Sequence, residues 1–236
     1  MSVHVLIPAR DEGPRVGATV HAVQRVLAGA RVLVIDGGSQ DDTAERAVSA
    51  GASVIAQRGT GYAGALLTGY RALQATDASQ VVQLDADGQH PADAAPRLLA
   101  LLGDGRHLVT ASRQGTGSGG QWSRRAGNRA LASLVQAMTG TRLHDVTSGF
   151  WAMDRYALDL LALHMPADCA DANIRILAVR LGLGPVEVPV AMSARASGRS
   201  MHDGWHGLAN FGTSLRRAVQ AGRAITSSQD RGDARG

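Results

Sequence analysis

Apolar residues fall into short continuous runs alternating with longer stretches where they recur every three or four positions. Runs at 3–7, 31–35, 52–56, 81–84 and 108–111 read as strands, and the stretches at 15–27, 42–50, 61–75 and 92–102 read as helices. Ser39 stands before the second helix as a candidate cap. Apolar strands bounded by helices predict an α/β fold with a mainly parallel sheet covered on both faces, whose ligands bind outside the carboxyl ends of the strands. A glycine-rich stretch at 114–120, a candidate lid or linker, precedes a second half. There the pattern predicts a helix at 128–138, a turn at 145–149, a strand at 150–153, helices at 157–163 and 172–181, and a strand at 186–190. Leu208, Phe211, Leu215 and Val219 then recur at helical spacing. One domain over 1–225 is expected, divided into halves at 1–113 and 121–225, with a disordered tail at 226–236.

Composition narrows the class. A chain of 236 residues with 44% hydrophobic content can bury one sizeable core. The single cysteine, Cys169, excludes an internal disulfide and a cysteine metal cluster, which suits a reducing compartment. No apolar run is long enough to span a bilayer, and Met1 leads straight into the first strand, so a cytoplasmic protein is expected. All 24 basic residues are arginine and the net charge is +4, but they are dispersed and aromatics make up 3%, which argues against nucleic acid as a partner. Neither of the segments that follow the first two strands, at 8–12 and 36–43, has the Gly-x-Gly-x-x-Gly pattern of a dinucleotide fold, and there is no Walker lysine, so hydride transfer and P-loop hydrolysis lose support.

Candidate chemistry gathers where strands end. The run Val81-Val82-Gln83-Leu84 breaks into Asp85-Ala86-Asp87-Gly88-Gln89-His90-Pro91. On an extended chain Asp85 and Asp87 leave the strand on one side, Gly88 permits a turn, and Gln89 offers a further oxygen. Two carboxylates can share a hard cation such as Mg2+ or Mn2+, completed by substrate phosphates; a solvated acidic turn has the same sequence. Pro8-Ala9-Arg10-Asp11-Glu12 follows the first strand and Asp36 to Thr43 the second. Ser39, Asp41 and Asp42 read as helix caps, which leaves Asp36 for other work. His90 and His144 lack a second ligand at metal spacing, Trp151 reads as packing, and no Ser-His-Asp set stands out.

Taken in order, IPARDE at 7–12, IDGGSQDDT at 35–43, RGTGYAGALLTGYRAL at 58–73, LDADGQHP at 84–91, ASR at 111–113, DVTSGFWAMDR at 145–155 and RASGRS at 195–200 carry a resemblance. The chain resembles the family 2 glycosyltransferases of GT-A fold, most closely the branch with dolichyl-phosphate and polyprenyl-phosphate mannosyltransferases. That resemblance implies metal-dependent sugar transfer, with inversion, from a nucleotide diphosphate sugar, GDP-mannose favoured, to a lipid phosphate. Transfer to a soluble hydroxyl acceptor, or a non-catalytic nucleotide-sugar-binding subunit, are the alternatives.

The resemblance further implies roles. Residues 1–113 would form the nucleotide-sugar-binding half, with Pro8, Arg10, Glu12, Asp36, Asp85 and Ala86 on the donor. Asp85, Asp87 and Gln89 would hold the metal, and Arg125, Ser148, Arg195 and Arg199 would border acceptor or phosphate. Asp87, Arg113 and Asp171 are the candidate catalytic residues; for Asp171 a general base and a helix cap are equal readings. Asp145 and Ser148 equally suit a backbone turn, and Arg195 and Arg199 an exposed basic loop. Asp36-Gly37 replaces the two acidic residues usual in similar proteins. A lipid acceptor would require peripheral membrane contact or a membrane partner subunit.

Overall fold

The computed structural model describes residues 1–113, 122–167, 169 and 171–192, without the side chains of 122–127 and 171–172. Strands β1 (Val3–Ala9), β2 (Arg31–Asp36), β3 (Ser53–Ala56), β4 (Gln80–Gln83), β5 (Leu108–Ser112), β6 (Trp151–Asp154) and β7 (Val186–Pro189) form one sheet in the order β3-β2-β1-β4-β6-β5-β7. All neighbours are parallel except β6, which runs against both β4 and β5. The expected mainly parallel α/β architecture is therefore present.

Helices α1 (Gly13–Val26), α2 (Thr43–Ser49) and α4 (Ala95–Leu99) share one core with Val5, Ile7, Val32 and Val34. The opposite sheet face, carrying Leu6, Ile35 and Val81, packs with α3 (Gly61–Gln74), α6 (Arg155–His164) and α7 (Asp171–Arg180). Alternate strand residues thus enter opposite cores, which explains why the strands read as unbroken apolar runs. A smaller cluster joins α5 (Trp122–Thr139) to α7 through Val135, Leu143, Val146 and Ile176.

Two helices differ from expectation. The stretch at 92–102 is a 3-10 turn followed by five α-helical residues, with Pro96 near its start. Helix α5 begins at Trp122, six residues ahead of the apolar periodicity that marked it. No helix among the described residues is long and apolar enough to cross a membrane. The glycine-rich stretch at 114–120, the terminal helix and the tail lie outside the described residues.

Candidate active site

Strand order places the chemistry. β1 lies between β2 and β4, so connections leave it in opposite directions, and such a switch point opens a crevice at the carboxyl ends. Alternate residues of β1 bond alternate neighbours: Leu84 N–H donates to the Leu6 carbonyl on one side, and Gly37 N–H to the Ala9 carbonyl on the other. By that alternation Pro8 turns its missing N–H toward β4, whose pairing with β1 has stopped at Gln83. A proline in a central strand therefore leaves no ladder bond broken.

The first two strand-end segments knit together. Ser39 donates from its hydroxyl to Asp36 Oδ1 at 2.5 Å, and Asp11 N–H donates to Ser39 Oγ at 3.0 Å. Gln40 N–H returns a bond to Asp11 Oδ1 at 2.7 Å. Asp41 accepts from Gly13 N–H at 3.0 Å and from the Thr43 N–H and hydroxyl, so one carboxylate joins the starts of α1 and α2. The Thr43 hydroxyl bond holds the Asp41 carboxyl below its ordinary pKa. Ser39, expected to cap α2, is instead held by Asp36, while Asp42 pairs with Arg46 at 2.7 Å. Glu12 pairs with Arg15 at 2.7 Å, and Arg10 is exposed.

After β4 the backbone turns at Ala86-Asp87, sooner than an extended alternation would allow, and Gly88 carries φ 76°. The two aspartates accordingly differ in setting. Asp85 is half-buried and accepts the Tyr62 hydroxyl at 2.9 Å, while its N–H donates to His90 Nδ1 at 3.0 Å. With Nδ1 accepting, the neutral His90 ring carries its proton on Nε2, 3.8 Å from Asp85 Oδ2. Asp87 is buried, and its Oδ1 accepts from Gln89 N–H at 3.0 Å. Gln89, expected as a ligand, enters this geometry through its backbone N–H. The Ala86 side chain is in the core, and its carbonyl accepts the Thr19 hydroxyl at 3.2 Å.

Asp85 and Asp87 fit Mg2+ or Mn2+, which take oxygen ligands and retain water and phosphate oxygens. Among the described residues no third His, Cys, Asp or Glu completes a closed cluster around them.

The turn before β6 supplies the other wall. Buried Asp145 accepts Arg113 Nε at 2.8 Å, Arg113 Nη2 at 3.1 Å and the Arg113 N–H at 3.1 Å. Burial pushes the Asp145 carboxyl upward in pKa, but the Arg113 bonds and charge outweigh it, and the net shift is downward. Asp145 Oδ1 also accepts the Thr147 N–H at 3.3 Å and hydroxyl at 3.1 Å, so Asp145 does form the local turn. Glu187 of β7 accepts the N–H groups of His144 and Asp145, each at 2.7 Å. Ser148 is buried; its carbonyl accepts Arg175 Nη2 at 2.7 Å and the Trp151 indole, and the Arg175 guanidinium lies 3.9 Å above the Trp151 ring. Phe150 stacks on His90 with centroids 5.3 Å apart, joining this turn to the aspartate loop.

The structure thus brings Pro8, Arg10, Glu12, Asp36, Asp85 and Asp87 to adjacent strand ends and ties Arg113 to Asp145. Helix α7 opens at Asp171 and Arg125 lies in α5, but their side chains, and Arg195 and Arg199 entirely, are outside the described residues. Sequence reasoning missed Tyr62, Gln83 and Glu187. Gln83 had a visible signal, a lone polar residue inside an apolar run. Tyr62 had none beyond its place in a glycine-rich helix start.

Comparison with known proteins bears on family and fold. The model of glycosyl transferase family 2 matches residues 4–161. A dolichyl-phosphate hexose transferase of Haloferax volcanii is 31% identical over 212 residues, covering 89% of this chain and 91% of that protein. A polyprenol monophosphomannose synthase of Mycolicibacterium smegmatis is 29% identical, over 85% of this chain and 80% of that one. Among solved structures, the glucosyl-3-phosphoglycerate synthase of Mycobacterium tuberculosis, in complex with Mn2+, UDP-glucose and phosphoglyceric acid, superposes with a TM-score of 0.68. It is 25% identical, and the match covers 92% of this chain and 80% of that one.

Proposed function

The chain belongs to glycosyl transferase family 2, and from that premise we propose that it moves a sugar, mannose from GDP-mannose being favoured, onto a polyprenyl or dolichyl phosphate with inversion. The observation that carries this reading is the gathering of Glu12, Asp36, Asp85 and Asp87 at the switch point beside β1.

Asp36, steadied by Ser39, and Glu12, steadied by Arg15, would accept hydrogen bonds from the nucleoside, with Pro8, Arg10 and Ala86 lining the donor. Asp85 and Asp87 would hold Mg2+ or Mn2+. When bound, that cation neutralises charge developing on the leaving diphosphate. An acceptor phosphate is already anionic near neutral pH and requires alignment and charge balance but no strong base; Arg125, Ser148, Arg195 and Arg199 are assigned to it. Arg113 is assigned to hold the turn at 145–149 through Asp145. The halves at 1–113 and 121–225 then act as donor and acceptor sides of one domain. The named relatives are a dolichyl-phosphate hexose transferase and a polyprenol monophosphomannose synthase, and with a lipid acceptor of that kind peripheral membrane contact or a membrane partner subunit accompanies this reading.

A second reading has one observation in its favour: the solved relative holds UDP-glucose with phosphoglyceric acid. There the acceptor is a small soluble hydroxyl compound, and Asp171 becomes the candidate base.

Calorimetry with GDP, UDP and dTDP, with Mn2+ or Mg2+ and with chelator, on wild type and Asp87→Ala, tests the donor half. One nucleotide should bind only with metal and lose affinity in the variant. Absence of binding by all three refutes the reading. Nucleotide release that depends on prenyl phosphate favours the lipid acceptor; release that depends on phosphoglycerate favours the second reading.

A further inference from the structure

Behind Asp85 runs a chain of polar side chains, half-buried at Tyr62 and fully buried at Gln83 and Tyr70, whose hydrogen bonds have one consistent direction. An ionised carboxylate only accepts, so Tyr62 gives its single hydroxyl proton to Asp85 Oδ1 at 2.9 Å. The Tyr62 oxygen then accepts from Gln83 Nε2 at 3.4 Å, and the same amide nitrogen donates to the Gly149 carbonyl at 3.1 Å. Gln83 Oε1 accepts the Tyr70 hydroxyl at 2.5 Å. Turning the Gln83 amide over would set its oxygen against the Gly149 carbonyl, two acceptors face to face. Gln83 and Tyr70 are fully buried, so water cannot substitute for a lost partner.

Gln83 sits on β4, and an apolar residue of its size would pack there without needing three partners. The polar choice makes sense through what it touches. Its amide holds the turn before β6 with one bond and the tyrosine of α3 with another. The turn backbone lies so close that a Cβ on Gly149 would fall 2.6 Å from Tyr62 Oη and 3.0 Å from both Asp85 carboxylate oxygens.

We propose that Tyr62, oriented by Gln83, is a positioning residue that aims the Asp85 carboxylate at donor and cation, and that Gln83 keeps this carboxylate in register with the turn at 145–149. The proposal rests on the donor-site reading above and extends it to side chains outside the strand-end segments. Removal of partners that orient a metal-binding carboxylate typically weakens metal affinity about tenfold or more.

The test measures Mn2+ affinity, by electron paramagnetic resonance of free Mn2+ with GDP or UDP present, in wild type, Tyr62→Phe, Tyr70→Phe and Asp85→Ala, with thermal midpoints alongside. Tyr62→Phe should bind the Mn2+–nucleotide about tenfold more weakly at a nearly unchanged midpoint, and donor KM should rise more than kcat falls. Tyr70→Phe, which frees the Gln83 amide, should weaken binding about threefold, and the double variant Tyr62→Phe with Tyr70→Phe should be no worse than Tyr62→Phe alone. Wild-type affinity in Tyr62→Phe, with affinity lost in Asp85→Ala, overturns the positioning role and spares the donor site. Fully additive losses in the double variant overturn the relay. Unchanged binding in Asp85→Ala overturns the donor-site reading and the relay together.

Discussion

The Arg113–Asp145 pair offers a quantitative test of how the second wall of the site is held. The Asp145 side chain is 5% exposed and that of Arg113 40%, so the two ends of the bond stand in different solvent. Truncation by Arg113→Met leaves the backbone N–H and Thr147 bonds but strands a buried carboxylate. Breaking a buried pair costs about 3–5 kcal/mol. Because Arg113 is partly hydrated, about 2–3 kcal/mol is expected here. Asp145→Asn should cost less, about 1–2 kcal/mol, since Arg113 can turn to water and the amide retains one acceptor. With an m-value of about 2 kcal/mol/M, Arg113→Met should lower the urea midpoint by about 1–1.5 M.

The deficits of the two variants change with pH in the same direction, for different reasons. The Asp145 pKa in the folded wild type lies below its ordinary value, so its contribution is present above about pH 4 and is lost as pH falls through the folded pKa. The deficit of Asp145→Asn should therefore shrink in acid. In Arg113→Met burial is opposed only by the backbone N–H of residue 113, the Thr147 bonds and the Arg175 charge, so the folded pKa rises from its wild-type value and the deficit should grow as pH climbs through the carboxylate range. Urea unfolding by circular dichroism and tryptophan fluorescence, on both single variants and the double, reads all of this. Costs that simply add at pH 7, or a loss under about 0.5 kcal/mol in Arg113→Met, would refute the clamp.

Two further predictions concern other contacts. His4 is buried, with Nε2 3.8 Å from Asp77 and Nδ1 without a hydrogen-bond partner among the described residues. Burial lowers its pKa, Arg31 adds to this and Asp77 opposes it, so wild-type stability should fall as pH drops below about 6.5, by at most about 1.4 kcal/mol per pH unit; His4→Phe should flatten that slope in urea midpoints taken from pH 7.5 to 5, and an unchanged slope would assign it elsewhere. Gly149→Ala would press a methyl against Tyr62 and Asp85 and should cost about 1–3 kcal/mol while weakening Mn2+–nucleotide binding; wild-type behaviour by calorimetry and thermal unfolding would show that the turn can move aside.

Much of the site was legible because strand ends are visible in one dimension. Asp36 ends β2, and Asp85 follows β4 by two residues, where a run of apolar residues meets acidic ones. The bonds that build the site were not legible. Arg113 finds Asp145 32 residues away, Tyr62 finds Asp85 at 23, and Gln83 finds Gly149 at 66. Each partner has an equally sound local reading, such as a turn former, a helix-start residue or a phosphate ligand. Only strand order selects among them. Ser39 illustrates the same limit: its position suits a cap, yet its hydroxyl donates to Asp36.

By itself the sequence determined the alternation of strands and helices, their two-sided burial and the strand ends where charge collects, because periodicity and turn chemistry are properties of neighbouring residues. The tertiary structure alone decided that β6 runs antiparallel between β4 and β5, since an apolar run has no direction, and that Pro8 faces a side where no ladder bond is required. It also decided which polar groups meet: a buried carboxylate or amide takes its geometry from partners that only packing brings within 3 Å or so.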